Sequence, residues 1–373
     1  MNTSLQNIKL EKSQVTHEQV YEKVRHLLQT GQLQSGEKMP GTQKLAKMLE
    51  THGATVHVAL QKLAREGWLN RIPKKGTYVI RREEKLTCVG VYCTTNIKGS
   101  TYVHTVRETL SRELHEAGIE MDLWMDPRSL DRFDEPWKPL VEAAENRRFQ
   151  AFIATETATP LLRWQRKLPV PAAFLDAPPS VPNSVVSDMR QFVEVGLREL
   201  ARQGCRSVGL ISPVLTTPDP ADPECFATVF DMLGHFTDVA SDLGLTVKND
   251  WLRVVREPSY AALEIQAQER FGYDQFLKLW SQPEKPEGLL VFHDVIARGT
   301  LMAIQEKQVN VPRDLKLALH KNESINLFCP MPATFVVSSE RESARALIEQ
   351  VQKQFRGESC ERISLPFKIV AHE

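Results

Sequence analysis

Nine residues between Gln43 and Gly76 carry groups that could meet a polyanion and read its bases. Gln43, His52, Thr55 and His57 offer short donors and acceptors. Such groups suit the base edges of the DNA major groove, where the four base pairs present distinguishable patterns. Lys44, Arg71, Lys74 and Lys75 offer charge for phosphates, and Gly76 allows the backbone itself to come close. The charge balance agrees. Residues 1–85 hold 15 Lys+Arg against 8 Asp+Glu, while the remainder holds 32 against 39. A basic small unit joined to an acidic larger one implies that the first part meets a polyanion and the second does not.

The elements that would position these residues are legible in the spacing. Thr16 can cap a first helix with Val20, Val24, Leu27 and Leu28 inward. The polar turn Gly31–Pro40 separates it from a short helix opened by Thr42, with Leu45, Met48 and Leu49 along one face. Gly53 breaks that helix. A second follows with Val56, Leu60 and Leu63 apolar, and ends at Gly67. Trp68–Arg71 and Thr77–Ile80 read as two short strands joined by Pro73-Lys74-Lys75-Gly76. This pattern predicts a helix-turn-helix followed by a two-stranded wing.

The run Gly31-x-Leu33 … Gly36-Glu37-Lys38-Met39-Pro40 … Leu45-Ala46 … Thr55-Val56 … Ala59-Leu60-Gln61-Lys62-Leu63 … Glu66-Gly67-Trp68-Leu69 … Lys75-Gly76-Thr77-Tyr78-Val79 resembles the winged helix of the GntR family of bacterial transcription regulators. The family commonly has arginines at the positions held here by Gln43, Gly53 and His57. Arginine pairs bidentately with guanine and strongly with phosphate, so the departure implies another target sequence or weaker binding. Arg81 and Arg82, in the charge run after the wing, could add phosphate contacts.

From Leu86 the pattern changes to alternating short apolar runs and helical stretches. Strands are expected at Cys88–Tyr92, Met121–Met125, Ala151–Ala154, Ala172–Leu175, Ser207–Ile211, Leu289–Phe292 and Leu315–Leu319. Helices are expected at Tyr102–Ala117, Pro136–Asn146, Met189–Gln203, Phe226–Leu243, Ser259–Trp280 and Asp294–Lys307. Such alternation means parallel sheets covered by helices on both faces. Length then favours two doubly wound lobes with a ligand cleft between them. The fold class is therefore α/β: an N-terminal winged helix-turn-helix (1–80), a linker (81–87), and a two-lobed parallel-sheet domain (88–373) that binds an effector and dimerises. Residues 212–224, rich in proline and aspartate, read as an exposed loop.

The run Leu168-Pro169-Val170-Pro171-Ala172-Ala173-Phe174-Leu175-Asp176, the segment Gly204–Ser212, and Pro286–Gly299 with Val311-Pro312-Arg313-Asp314-Leu315 after it resemble the effector domain of lactose-repressor-type regulators. Those domains are themselves similar to periplasmic sugar-binding proteins. A GntR-type head on such a body is also the layout of the arabinose repressor of Gram-positive bacteria. The resemblance implies a small-molecule effector, a sugar being one class, and a homodimer on a two-fold related DNA operator. Carried over by position, Asp176 matches a family ligand contact and His293 sits where the family often has Asn. A family arginine falls on Asp231 and a family aspartate on Lys321, so these two either recognise a different ligand or pair across the cleft. Tyr102, Trp124 and Trp251 could stack on a ligand, with core packing as the alternative. Asp188 and Asp294 stand where helix caps are expected.

Other function classes fit less well. The chain shows no phosphate-binding P-loop, no Gly-rich dinucleotide turn after Cys88–Tyr92 and no Gly-x-Ser-x-Gly elbow, so an enzyme is not expected. No cofactor or metal is expected either: the six cysteines show no two-apart pairing and suit reduced thiols in a cytosol. The polar start has no signal-peptide core, and no apolar run approaches the ~20 residues that span a bilayer. The expectation is a cytoplasmic, effector-responsive transcription regulator. The alternative is a ligand-binding or protein-contact module whose winged helix has lost specific DNA binding.

Overall fold

The computed structural model describes residues 16–29, 32–73, 75–80, 85–95, 101–157, 159–213, 231–255 and 264–371. The chain divides into two compact units, Met1–Lys85 and Leu86–Glu373, called here the head and the body.

The head holds α1 (His17–Gln29), α2 (Thr42–Met48), α3 (Gly53–Arg65), β1 (Leu69–Ile72) and β2 (Gly76–Val79). Thr16 and Gln19 form a reciprocal cap at the start of α1. Thr16 N donates to Gln19 Oε1 at 3.1 Å, and Gln19 N donates to Thr16 Oγ1 at 3.3 Å. Val20, Val24 and Leu27 of α1, Leu45 of α2, and Val56, Leu60 and Leu63 of α3 form one apolar core, closed by Trp68 and Val79 at the wing. β1 and β2 pair antiparallel, Leu69 opposite Val79 and Ile72 opposite Gly76. The turn before α2 joins them: Gly36 N donates to Val79 O at 2.9 Å and Met39 N to Thr77 O at 2.8 Å. The helix-turn-helix and the wing are thereby tied into one piece.

The body contains two six-stranded sheets. The first lobe takes β3 (Cys88–Thr94), α4 (Thr101–Glu116), β4 (Glu120–Asp126), α5 (Lys138–Glu145), β5 (Ala151–Ala154), α6 (Thr159–Gln165), β6 (Ala172–Leu175) and β7 (Ser184–Ser187). The chain then enters the second lobe through α7 (Met189–Arg202), β8 (Val208–Pro213), α8 (Met232–Asp242), β9 (Leu252–Val255), α9 (Ile265–Trp280), β10 (Gly288–Val291), α10 (Asp294–Glu306), β11 (Lys316–Asn322) and β12 (Thr334–Ser338). It returns to the first lobe with α11 (Glu340–Phe355) and β13 (Ile363–Leu365), and ends in the second with β14 (Lys368–Ala371). The strand orders are β13-β7-β6-β5-β3-β4 and β14-β12-β11-β10-β8-β9, all parallel except the β12–β14 pair.

Strands such as Ala151–Ala154 and Gly288–Val291 are buried along their whole length because helices cover both faces. In the first lobe α4 and α11 pack on one face and α5 and α6 on the other. In the second, α9 and α10 oppose α7 and α8. The α9–α10 contact is backbone against backbone. A Cβ on Gly272 would stand 2.1 Å from Ile296 O, and one on Gly299 would stand 1.8 Å from Glu269 O.

The parallel, doubly wound pattern is as expected, but the second and third crossings of the chain are not. The expected elements stopped at Leu319, whereas α11 returns to the first sheet and β13 adds its edge strand beside β7. The signal was present. Ser339 caps α11 through Glu342 N, and Ala344, Leu347, Ile348 and Val351 follow at helical spacing. Which lobe that helix joins is a tertiary matter. Asp188 caps α7 as expected, accepting from Gln191 N at 3.1 Å. Asp294 does not cap: it is the first residue of α10, with His293 at the cap position. Beyond Pro213, the proline-rich stretch expected as a loop lies outside the described residues. So do Arg81, Arg82 and Cys225.

Candidate nucleic-acid interface and ligand cleft

In the head, α3 buries Val56, Ala59, Leu60 and Leu63 and leaves the opposite side open. Gln43 and Lys44 are exposed on α2, and His52 is the exposed N-cap residue of α3. Gln43 reaches across to the start of α3: a Cβ on Gly53 would lie 2.9 Å from its Nε2. His57 is exposed, and its Nδ1 lies 3.3 Å from Arg71 Nη2. A guanidinium can only donate, so His57 Nδ1 accepts and the wing arginine is held over the reading helix. Thr55 is half-buried on the flank of α3 rather than on its open side. Lys75 is exposed in the wing turn, and Gly76 opens β2 with φ of +119°, a conformation that favours glycine. Lys74 lies outside the described residues.

Sequence reading missed Lys38. Its side chain runs over the wing, where a Cβ on Gly76 would meet its Cε at 2.8 Å, and its ammonium lies 5.7 Å from the centre of the Tyr78 ring. The bridge between Lys38 and Tyr78 that puts it there is a tertiary pairing. Ala54, Val58 and Gln61, also missed, are exposed on α3. Their i, i+4, i+7 spacing opposite the apolar positions could have revealed them.

In the body, candidate ligand residues lie beyond the carboxyl ends of parallel strands, where open α/β sheets bind their ligands. Asp176 follows β6 with φ of +51°. It is surrounded by protein yet keeps an exposed face. Desolvation pushes its carboxyl up to about 6, against the pull of the Ser187 backbone N–H and the Arg362 guanidinium. Tyr102, at the start of α4, is half-buried near Asp176, and its hydroxyl is 2.7 Å from Ser343 Oγ on α11. Desolvation raises its pKa, as does the neighbouring Asp176 charge.

The second lobe contributes His293 and a recessed polar group behind it. His293 Nδ1 lies 3.4 Å from Asp294 Oδ1. Burial opposes ionisation of Asp294, but His293, His320 and Arg298 outweigh it and hold its carboxyl below the usual range. His320 is buried, pushed down to about 3 by desolvation, and its Nε2 lies 3.1 Å from Ser338 Oγ. Ser338 Oγ in turn donates to Asn322 Oδ1 at 2.7 Å. Asp294 Oδ2 and His320 Nδ1 have no hydrogen-bond partner among the described residues. Neither His320 nor Asn322 was anticipated, because an apolar strand run gives no sign of which polar residues face one another.

Of the two alternatives for Asp231 and Lys321, a pair across the cleft does not form among the described residues. Asp231 caps α8, accepting from Gly234 N at 2.8 Å. Lys321 alternates with His320 along β11 and so points to the opposite face of the sheet, its ammonium 5.6 Å from the centre of the Phe335 ring. There it lines a small pocket with Glu323, Val337, Ser339 and Lys368. Trp124 packs edge-on against Trp137 and Phe149, and Trp251 is buried with Nε1 donating to Glu284 O, so both are core residues. Among the described residues no three His, Cys, Asp or Glu side chains are grouped to hold a metal. Nor is any described helix long and apolar enough to cross a membrane.

A winged helix-turn-helix and a two-sheet body crossed three times by the chain define a class, the transcription regulators. Residues 16–79 match the bacterial regulatory proteins of the gntR family, and residues 197–371 match the periplasmic binding protein-like domain. The chain therefore carries a gntR family head on a periplasmic binding protein-like body. It is 26% identical over 107 residues to the HTH-type transcriptional repressor YtrA of Bacillus subtilis (strain 168), covering 28% of this chain and 75% of the relative. It is 19% identical over 205 residues to the HTH-type transcriptional repressor PurR of Aliivibrio salmonicida (strain LFI1238), covering 54% of this chain and 56% of that relative. The chain thus spans little more than half the length of the PurR relative. Among solved structures, a LacI family transcription regulator from Clostridium acetobutylicum matches with a TM-score of 0.59 at 17% identity, over 77% of this chain and 100% of the other. The transcription regulator CcpA of Lactococcus lactis matches with a TM-score of 0.57 at 15% identity, over 77% and 98%. At such identities the likeness concerns the fold.

Proposed function

We propose that this protein is a cytoplasmic transcription regulator, acting as a repressor, whose head binds a two-fold related site on double-stranded DNA. In this reading the body binds a small polar effector, of the sugar class, between the carboxyl edges of its sheets, and it does not catalyse. The observation that carries the proposal is the open side of α3, flanked by Lys44, Arg71 and Lys75, on a chain whose body has the fold of lactose-repressor-type regulators. Tyr102 and Asp176 from the first lobe and His293 from the second are the effector residues, with Asp231 at the rim. Closing the two lobes about their crossings would change the spacing of two heads. Coupling of that kind is typically worth ~1–3 kcal/mol.

A homodimer is part of the proposal. Exposed Leu123 and Met125 in the first lobe, and Met302 and Phe328 in the second, support a self-association surface. Phe328, 80% exposed, is the residue to change. Phe328→Glu is expected to shift the sedimentation coefficient from dimer to monomer.

The function is tested by titrating the full-length chain with random-sequence duplex at increasing salt. Each phosphate neutralised contributes a slope of about −0.9 in log K against log salt. A steep slope with enrichment of a two-fold related site is expected. A flat, weak response would favour the second reading, a head that has lost specific DNA binding, for which the arginine-free first turns of α3 speak.

A further inference from the structure

The open side of α3 has a composition that selects among base pairs. At about 100° per residue, the stripe opposite the core is Ala54, Val58, Gln61 and Arg65, with His57 at its edge. All five are exposed, and Val58 is 46% exposed. Two aliphatic side chains one turn apart therefore stand in solvent on the face that the core leaves free. The Gln43 amide ends at the same turn, beside Gly53. The first cation along the stripe is Arg65, in the last turn.

We infer that the head reads A·T pairs, with Ala54 and Val58 seating thymine methyl groups and the Gln43 amide pairing with adenine. This rests on the DNA-binding reading above. Thymine C5-methyl is the apolar group that base edges present in the major groove, and it is what an exposed Ala or Val can bury. A carboxamide matches the adenine N6 donor and N7 acceptor together. Guanine presents two acceptors and calls for Arg or Lys, yet the first two turns of α3, Gly53 to Ala59, hold neither. The cations that flank the helix, Lys44, Arg71 and Lys75, are placed on α2 and the wing. That position suits phosphates, which fix register without reading sequence. Ala54 and Val58 are about 6 Å apart along the helix axis. That separation is close to two base-pair steps of about 3.4 Å, so the two methyls belong to base pairs two steps apart in one half-site.

The test uses the full-length chain and a random duplex pool at low salt, followed by thymine-to-uracil replacement in the enriched site. Uracil lacks only the C5-methyl. The expected site has an A·T core, and uracil at either of two thymines weakens binding about fourfold. That is the ~0.8 kcal/mol of a buried methylene converted at ~1.4 kcal/mol per tenfold. Val58→Ser, which removes the apolar group, is expected to abolish the response to uracil at one of these thymines and leave the other. Gln43→Ala is expected to relax the adenine preference. A G·C core, an unenriched pool or indifference to uracil overturns the inference while salt-dependent binding keeps the regulator reading intact. No salt-dependent binding at all overturns both.

Discussion

The head and the body differ in where they keep their polar groups. In the head one apolar cluster holds three helices and the wing, and the side chains left for recognition stand in solvent. Of these, His57 meets Arg71 alone among the described residues, and Gln43 rests against a glycine. In the body the corresponding groups are recessed. Asp176 keeps one face open, and His320 and Asp294 are buried; desolvation raises the Asp176 carboxyl and lowers the His320 imidazole, whereas neighbouring cations hold the Asp294 carboxyl low. Recognition by an exposed face is separable from stability, whereas recognition at a sheet edge is not. Surface substitutions away from special features change stability by about 0.5 kcal/mol or less, but those that orphan a buried charge cost several.

That difference can be broken or sharpened by substitution. The largest expected effect is in the first lobe. There Asp126, buried, accepts from Arg128 Nε at 2.9 Å, from Arg128 Nη2 at 2.8 Å and from Tyr92 OH at 2.7 Å. Arg128→Met leaves that carboxylate buried without its cation and is expected to cost about 3–5 kcal/mol, read as a lowered melting temperature of the body. A loss under 1 kcal/mol would show that the recessed groups are as dispensable as those of the head. Next comes Asp188→Ala, which removes the cap of α7 at the first crossing between lobes. About 1 kcal/mol should be lost in chemical denaturation.

Asp176→Asn gives a smaller effect with a definite sign. The folded carboxyl is raised to about 6, above its ordinary value of 3.8. Its contribution to stability is therefore full below about pH 4 and is lost as pH rises through about 6. The variant should exceed the wild type in melting temperature at pH 8 and match it below pH 4, where both side chains are neutral. Parallel pH profiles would place Asp176 in open solvent and remove it from the cleft. The smallest effect is expected at His57→Ala, which should move the head's stability by no more than about 0.5 kcal/mol while weakening DNA binding in the salt titration.

Much of the head was legible from the chain because its information is local. Cap residues, apolar spacing and glycine turns lie within a few residues of the structures they specify, and Thr16, Thr42, Gly53 and Gly67 sit at helix boundaries as read. The alternating strands and helices of the body were legible for the same reason. The site was less so. Asp176 and His293 follow the ends of β6 and β10 and Tyr102 opens α4, but Lys321 sits one residue further along β11 than His320 and so faces the other way. In a strand a shift of one residue exchanges faces, and a position transferred by resemblance carries that error with it.

The sequence by itself determined the elements, the class of the body and the basic head. Each of these follows from periodicity and charge along a single segment. Only the tertiary structure decided that α11 and β13 return to the first lobe, that Lys38 lies across the wing and that Asp231 caps α8. It also decided that His320, Ser338 and Asn322 meet behind His293. Those outcomes depend on which distant segments are brought together. Desolvation and register, which set the chemistry of a recessed side chain, exist only once they have been.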